Sequence, residues 1–345
     1  MADNHRDRAS RPSGRHRHRH LDHSTPPQRA AHPTTRTNLL RTTTRILTAL
    51  TTVIVGMGTL AGCSSQTPPA APEAVEFGHT HGLGYDTSTG IVFAATHNGV
   101  WELPTGRLPS SFGSGSLVGP PGDVPELIGD RRQDTMGFLV VDGGLLLGSG
   151  HPDPETDPTA PANLGFITSE NAAKDWTSVA LTGETDFHDI AATALPTGAL
   201  RVYGYDATKG VILTSDDSGS TWTPGAALDL RDLAIDPTNP DRIYATTAAG
   251  LQVSDDIART FTTVPDAPPL FLIDHTDTGY VGVDTAGTIW GNDGAGWAQG
   301  GTVTGEPQAL SFVGGSEPWL LFSDDRGVFA TPDLGVTLVP LAETP

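Results

Sequence analysis

Cysteine is almost missing from this chain: one occurs in 345 residues, Cys63. That excludes a disulfide-stapled scaffold and leaves any metal site to do without clustered thiolates. Charge is sparse, at 17% of residues, and basic residues are half as numerous as acidic ones, 20 against 40. Ten of those 20 lie in residues 1–62, so the rest of the chain carries ten basic and 37 acidic side chains. Such a body repels phosphate backbones, which argues against nucleic-acid binding. Heptads and repeated long apolar runs are absent as well, excluding a coiled coil and a polytopic membrane protein. What is abundant is glycine and proline, 41 and 28 residues, a fifth of the sequence. With 37% hydrophobic residues the chain is too apolar for disorder and too rich in breakers for a helical bundle.

Residues 1–62 read as an address. The Arg/His stretch Arg15 to His20 belongs to a long n-region or to an over-long start. Arg41 and Arg45 then precede a short apolar run, Ile46 to Leu60. This is the charge and length pattern of a secretory signal, too short for a comfortable bilayer span. It ends in Leu60-Ala61-Gly62-Cys63, which looks like a bacterial lipobox. The expectation is lipidation at Cys63, a flexible tether over 63–74 that is polar and rich in Pro and Ala, and a domain over 75–345. That domain would sit on the extracytoplasmic face of the cell membrane, anchored by its lipid.

From Val75 onward, short alternating strands are bounded by Gly, Pro, Asp and Asn, with no convincing helix. The clearest repeated unit is Ser215-x-Asp217-x-Gly219-x-x-Trp222, which matches the Asp-box, S/T-x-D-x-G-x-x-W/F. Degenerate copies start at Ser169, Ser254 and Thr331, and Asn292-x-Gly294-x-x-Trp297 keeps the core of the pattern. Their anchor positions, 176, 222, 261, 297 and 338, are spaced by 46, 39, 36 and 41 residues. A period near 40 with about four strands per unit predicts an all-β propeller. One more unit, without an Asp-box, opens the domain at His81. The reading is six blades, with seven as the alternative, and an Asp-box is a structural turn on the rim.

Six histidines follow Cys63, and five fall in the first three units: His79, His81, His97, His151 and His188. Inner strands of a propeller start on the channel-mouth face, and the next strands end there. All five therefore map to one face, with Asp134, Met136, Asp153 and Asp189 beside them. Loops Leu103 to Arg132 and Pro152 to Leu164 could wall a pocket. Clustered imidazoles with carboxylates suit a divalent transition metal such as zinc or copper. The same histidines would equally serve to hold strand-end loops by hydrogen bonds. The sixth, His275, stands apart.

The ordered phrases His79-Thr80-His81-Gly82-Leu83, Ala95-Thr96-His97-Asn98-Gly99, Asp134-x-Met136-Gly137-Phe138, Ser149-Gly150-His151-Pro152-Asp153 and Asp186-Phe187-His188 resemble a family of bacterial Asp-box propeller lipoproteins. The family is glycosyl-hydrolase-like or exo-alpha-sialidase-like in its labels, and sortilin-type and photosystem II assembly-factor propellers look like distant relatives. The resemblance implies either a glycoside hydrolase acting on envelope or host glycans, or a propeller that binds a ligand or scaffolds an envelope protein. Sialidase chemistry calls for three convergent arginines, and only eight arginines follow Cys63.

Overall fold

The computed structural model describes residues 76–109, 112, 117–120, 122–129 and 131–343. The signal, Cys63 and the tether lie outside them. Among the described residues there is no helix, and the strands form six sheets of four. Each sheet is an antiparallel meander of consecutive strands, that is, one blade of a six-bladed β-propeller. The seven-blade alternative is excluded: six sheets use every strand. Inner strands run Thr80–Tyr85, Asp134–Val141, Phe187–Ala194, Asp232–Ile235, Leu270–His275 and Ala309–Val313. They pack side by side around the channel, and the sixth returns against the first.

Each blade is covered on both faces by its neighbours, so its middle strands lose the alternation of a half-exposed sheet. Val92–Thr96 and Gly327–Thr331 are buried at every position. The apolar residues separate into one cluster per blade interface. Leu147, Phe166, Phe187 and Leu213 join blades two and three, for example, and Leu83, Val92, Trp319 and Leu321 join blades one and six. The loop after Leu103 turns two apolar side chains inward. Its Leu108 and Phe112 fill the interface of blades one and six, Phe112 packing edge-on to Trp319 at 5.6 Å. The loop then supplies the outer strand of blade one, Glu126–Leu127.

The repeated Ser/Thr-x-Asp/Asn phrases close the outermost hairpins of four blades in one hydrogen-bond pattern. In blade three, Gly219 N–H donates to Ser215 Oγ at 2.8 Å and Thr221 N–H to the Asp217 carboxylate at 2.8 Å. Thr260 and Thr337 donate likewise to Asp256 and Asp333, and Asp175 N–H to Asn171. Glycine is required at 219, where φ is +86° and a Cβ would lie 2.0 Å from the Phe166 ring. Trp222 is half-buried, with its indole N–H on Gly219 O at 2.8 Å and its ring against Phe166 and Phe187. Blade five lacks the hydroxyl, and its turn is an Asx turn in which Gly294 N–H donates to Asn292.

Candidate metal centre

Antiparallel pairing brings the starts of inner strands and the ends of second strands to one rim. His81 lies at the start of the first inner strand, and His97 directly follows the adjacent strand Val92–Thr96. Asp134 opens the inner strand of blade two. Strand pairing in this zone is irregular in a consistent way. Thr80 and Gly82 pair with Thr96 and Ala95, leaving His81 as an extra residue. Met136 and His188 are the extra residues of blades two and three, and Phe271 that of blade five. A one-residue bulge re-aims the side chain it carries. The channel mouth thus displays a bulged residue from four blades.

The three donors converge closely. His81 Nε2 lies 3.0 Å from His97 Nδ1 and 3.3 Å from Asp134 Oδ1, and His97 Nδ1 is 3.0 Å from the same oxygen. Ligands bound at about 2.0–2.1 Å stand about 2.9 Å apart at a right angle and about 3.4 Å apart at the tetrahedral angle. The observed triangle falls within that range. A proton on one imidazole nitrogen satisfies one edge of it; a cation at the centre satisfies all three. His79 stands beside the group, its ring 5.2 Å from His81 and 5.7 Å from His97.

Electrostatics favour the ligating states. Burial and the neighbouring imidazoles lower the pKa of both His79 and His81, although the Asp134 hydrogen bond pulls His81 back up. Burial works against ionisation of Asp134, but contacts with His81 and His97 outweigh it and hold its carboxyl below the usual range. Neutral imidazole and ionised carboxylate are the forms that bind metal. Access is from the His97 side, whose side chain is 49% exposed against 10% for His81.

The other expected residues do not join this group. His151 and His188 gather around Asp186 instead, so the five histidines do not form a single centre. Met136, the bulged residue of blade two, is half-buried two places beyond Asp134. Asp153 is a loop cap, accepting from Arg132 N–H, Glu155 N–H and the Thr156 hydroxyl. Asp189 is likewise committed to backbone, accepting from Ile190 N–H and from Leu233 N–H of the next blade. Burial, with Asp232 close by, raises its pKa well above the usual value.

Sequence reasoning missed two things here. Asp186 is buried at the rim, and its place two residues before His188, just ahead of the strand, was the available signal. The second is a belt of carboxylates. As Asp189 reaches Leu233, Asp232 accepts from Ile273 N–H at 2.7 Å and Asp274 from Phe312 N–H at 2.6 Å. Together they link the inner strands of blades three to six. The channel cavity between them is lined by His81, His188, Asp189, Arg231, Asp232 and Gln308 among others. Arg231 donates to Gln308 O and lies 5.0 Å over the Phe271 ring. Arg201, Arg242 and Arg326 are paired with rim aspartates, so Arg231 is the one arginine lining this cavity among the described residues.

No family model and no curated protein matches this chain. Solved structures match in fold. A gluconolactonase from Xanthomonas campestris is 11% identical over 75% of this chain and 87% of its own, with a TM-score of 0.52. A chain of a nidogen/laminin complex is 12% identical over 74% and 93%, at 0.51. An ancestral GH74 enzyme is 14% identical at 0.45, and the match spans 73% of this chain and 36% of that one. The likeness reports fold alone.

Proposed function

We propose that this chain is a lipid-anchored extracytoplasmic propeller that binds a divalent transition metal, zinc or copper, through His81, His97 and Asp134. The observation behind this reading is the triangle of donor atoms with edges of 3.0, 3.0 and 3.3 Å. His79 supports the imidazoles from the side, and its exposed neighbour His97 faces the solvent from which an ion arrives. Calorimetry with Zn²⁺ and Cu²⁺ on metal-stripped protein tests it. Wild type is expected to bind at about micromolar or tighter, roughly −8 kcal/mol. His81→Ala and Asp134→Asn should each weaken binding by about 100-fold, since losing a ligand costs at least as much as the 10–100-fold lost with a partner that only orients one. His275→Ala, in blade five, should leave it unchanged. Affinity should fall with acidification, and because the pKa of His81 is depressed, that fall should extend below the usual imidazole value of about 6.5. Equal binding by wild type and His81→Ala would refute the assignment.

Anchoring is a separate part of the proposal and rests on the sequence Leu60-Ala61-Gly62-Cys63. Cys63→Ser, once its signal has been removed, should move from the membrane fraction to the soluble extracytoplasmic fraction, because the polar tether alone has no hold on the bilayer. Wild-type protein found soluble would remove the lipid anchor from the reading and leave the metal centre standing.

A further inference from the structure

We propose that a cavity between blades five and six binds a small organic cation with an apolar body, an aralkyl amine. It lies on the face opposite the histidine-rich mouth, because inner strands that start at the mouth end on the far face. The residues around it follow those ends or open the next strands. They include Thr276 and Thr278 after Leu270–His275, Tyr280 at the start of Tyr280–Asp284, and Trp319 at the start of Trp319–Asp324. The cavity volume is about 380 Å³. Small-molecule sites run upward from about 300 Å³, so there is room for a ligand of a single ring. The site stands apart from the His81 centre.

Two departures from the repeat explain why the opening is here. Each turn anchor packs against the preceding blade, as Trp176, Trp222, Phe261 and Trp297 do in turn. At blade six the anchor facing blade five is Leu338, which fills less space. In blades two, three and six the turn hydroxyl also ties the turn to its strand, accepting from the N–H of Ala173, Gly219 or Gly335. Blade five has Trp290 at that position, and its indole N–H donates to Asp284 instead. Without that tie, the turn of blade five contributes Gly291, Asn292, Asp293 and Gly296 to the cavity wall. A Cβ added at Gly296 would meet nothing within 4 Å, so the space there is open.

The lining decides what kind of ligand fits. Among its described residues there is no lysine, arginine or histidine, and two are carboxylates, Asp277 and Asp293. Asp277 Oδ2 accepts from Gly315 N–H at a long 3.3 Å, which joins the far-face turns of blades five and six. Asp277 is exposed, so its charge is hydrated in the free protein and pairing it adds modestly to binding. Tyr280, Phe312 and Trp319 supply ring surface, whose π-faces attract a cation, and Leu320 and Leu334 supply aliphatic surface for its body. An anion of the same skeleton would meet two carboxylates with no counter-charge. A neutral one would gain the apolar contacts and nothing from the carboxylates.

Calorimetry on the full-length protein tests the assignment, with phenethylamine as the probe and phenethyl alcohol as its neutral counterpart. The amine should bind with Kd below about 1 mM. It should bind about tenfold tighter than the alcohol, the combined effect of one exposed ion pair and one cation–π contact. Asp277→Asn should reduce that preference to about threefold, since the ring contacts remain. Ala298→Trp, at an exposed position lining the cavity, should abolish binding of both probes by filling it. Circular dichroism of both variants should match wild type. Should Ala298→Trp fail to fold, Asp277→Asn, altered in an exposed turn, still gives the answer. Equal affinity for amine and alcohol would overturn the proposal, as would an undiminished preference in Asp277→Asn. Amine binding untouched by a folded Ala298→Trp would place the ligand elsewhere and overturn it as well.

Discussion

Phe187→Ala is expected to cost about 3–5 kcal/mol, the largest effect of any single truncation considered for this protein. The ring is fully buried at the interface of blades two and three, 4.9 Å from Trp222. It occupies the space left by Gly204, where even a Cβ would stand 2.6 Å from it. The blade cannot collapse into the void easily, because Phe187 N–H is held by Ser149 Oγ of the neighbouring blade. Denaturant unfolding followed by tryptophan fluorescence measures the loss. Trp222→Ala, which empties only a half-buried position in the same cluster, should cost distinctly less. A cost below about 1 kcal/mol for Phe187→Ala would mean that the interface between these blades does not depend on this cluster.

The second large effect is a dependence of stability on pH that runs opposite to ordinary acid lability. Burial raises the Asp274 carboxyl from its usual value of 3.8 to about 7, against the N–H donors of Phe312 and His275, and Asp232 adds to the rise. The folded state therefore holds a proton that the unfolded chain has released between pH 4 and 7. Where the folded state binds more protons, stability falls as pH rises. The stabilising contribution is complete below about pH 3.8 and lost by about pH 7, a span worth about 4 kcal/mol. Asp274→Asn removes the titration and keeps one acceptor for the belt. Unfolding at pH 4.5, 6 and 7.5 should show the variant at a disadvantage in acid that shrinks or reverses at neutral pH. A difference between the two proteins that does not change with pH would show that Asp274 ionises normally. Asp189 and Asp232, raised in the same direction, steepen the wild-type curve further.

Much of the fold was legible in the order of residues. Turn phrases recur near every 40 positions because each blade needs a tight outer hairpin, and a hydroxyl, a carboxylate and a residue of positive φ close it in one way. Four short strands per phrase, with no helical period, fix the count of blades. The same rule of alternating chain direction placed all five histidines on one rim, and His81, His97 and Asp134 do meet there.

What the sequence could not decide was which of those histidines share a centre. Strand alternation implies that His79 and His81 point to the same face, but that inference holds only for an unbroken ladder. The bulge at His81 breaks the period, and those at Met136 and His188 repeat the break one and two blades on. A bulge depends on pairing between strands, and nothing in the local residue pattern announces it. Burial likewise separated carboxylates that look alike in sequence. Asp134 stays ionised beside imidazoles, Asp153 caps a loop, and Asp189 spends both oxygens on two blades. Composition and spacing determined that this is a propeller with a histidine-rich mouth. Only the tertiary structure, through strand register and the dielectric surroundings of each carboxylate, decided that His81, His97 and Asp134 converge while His151 and His188 turn to Asp186.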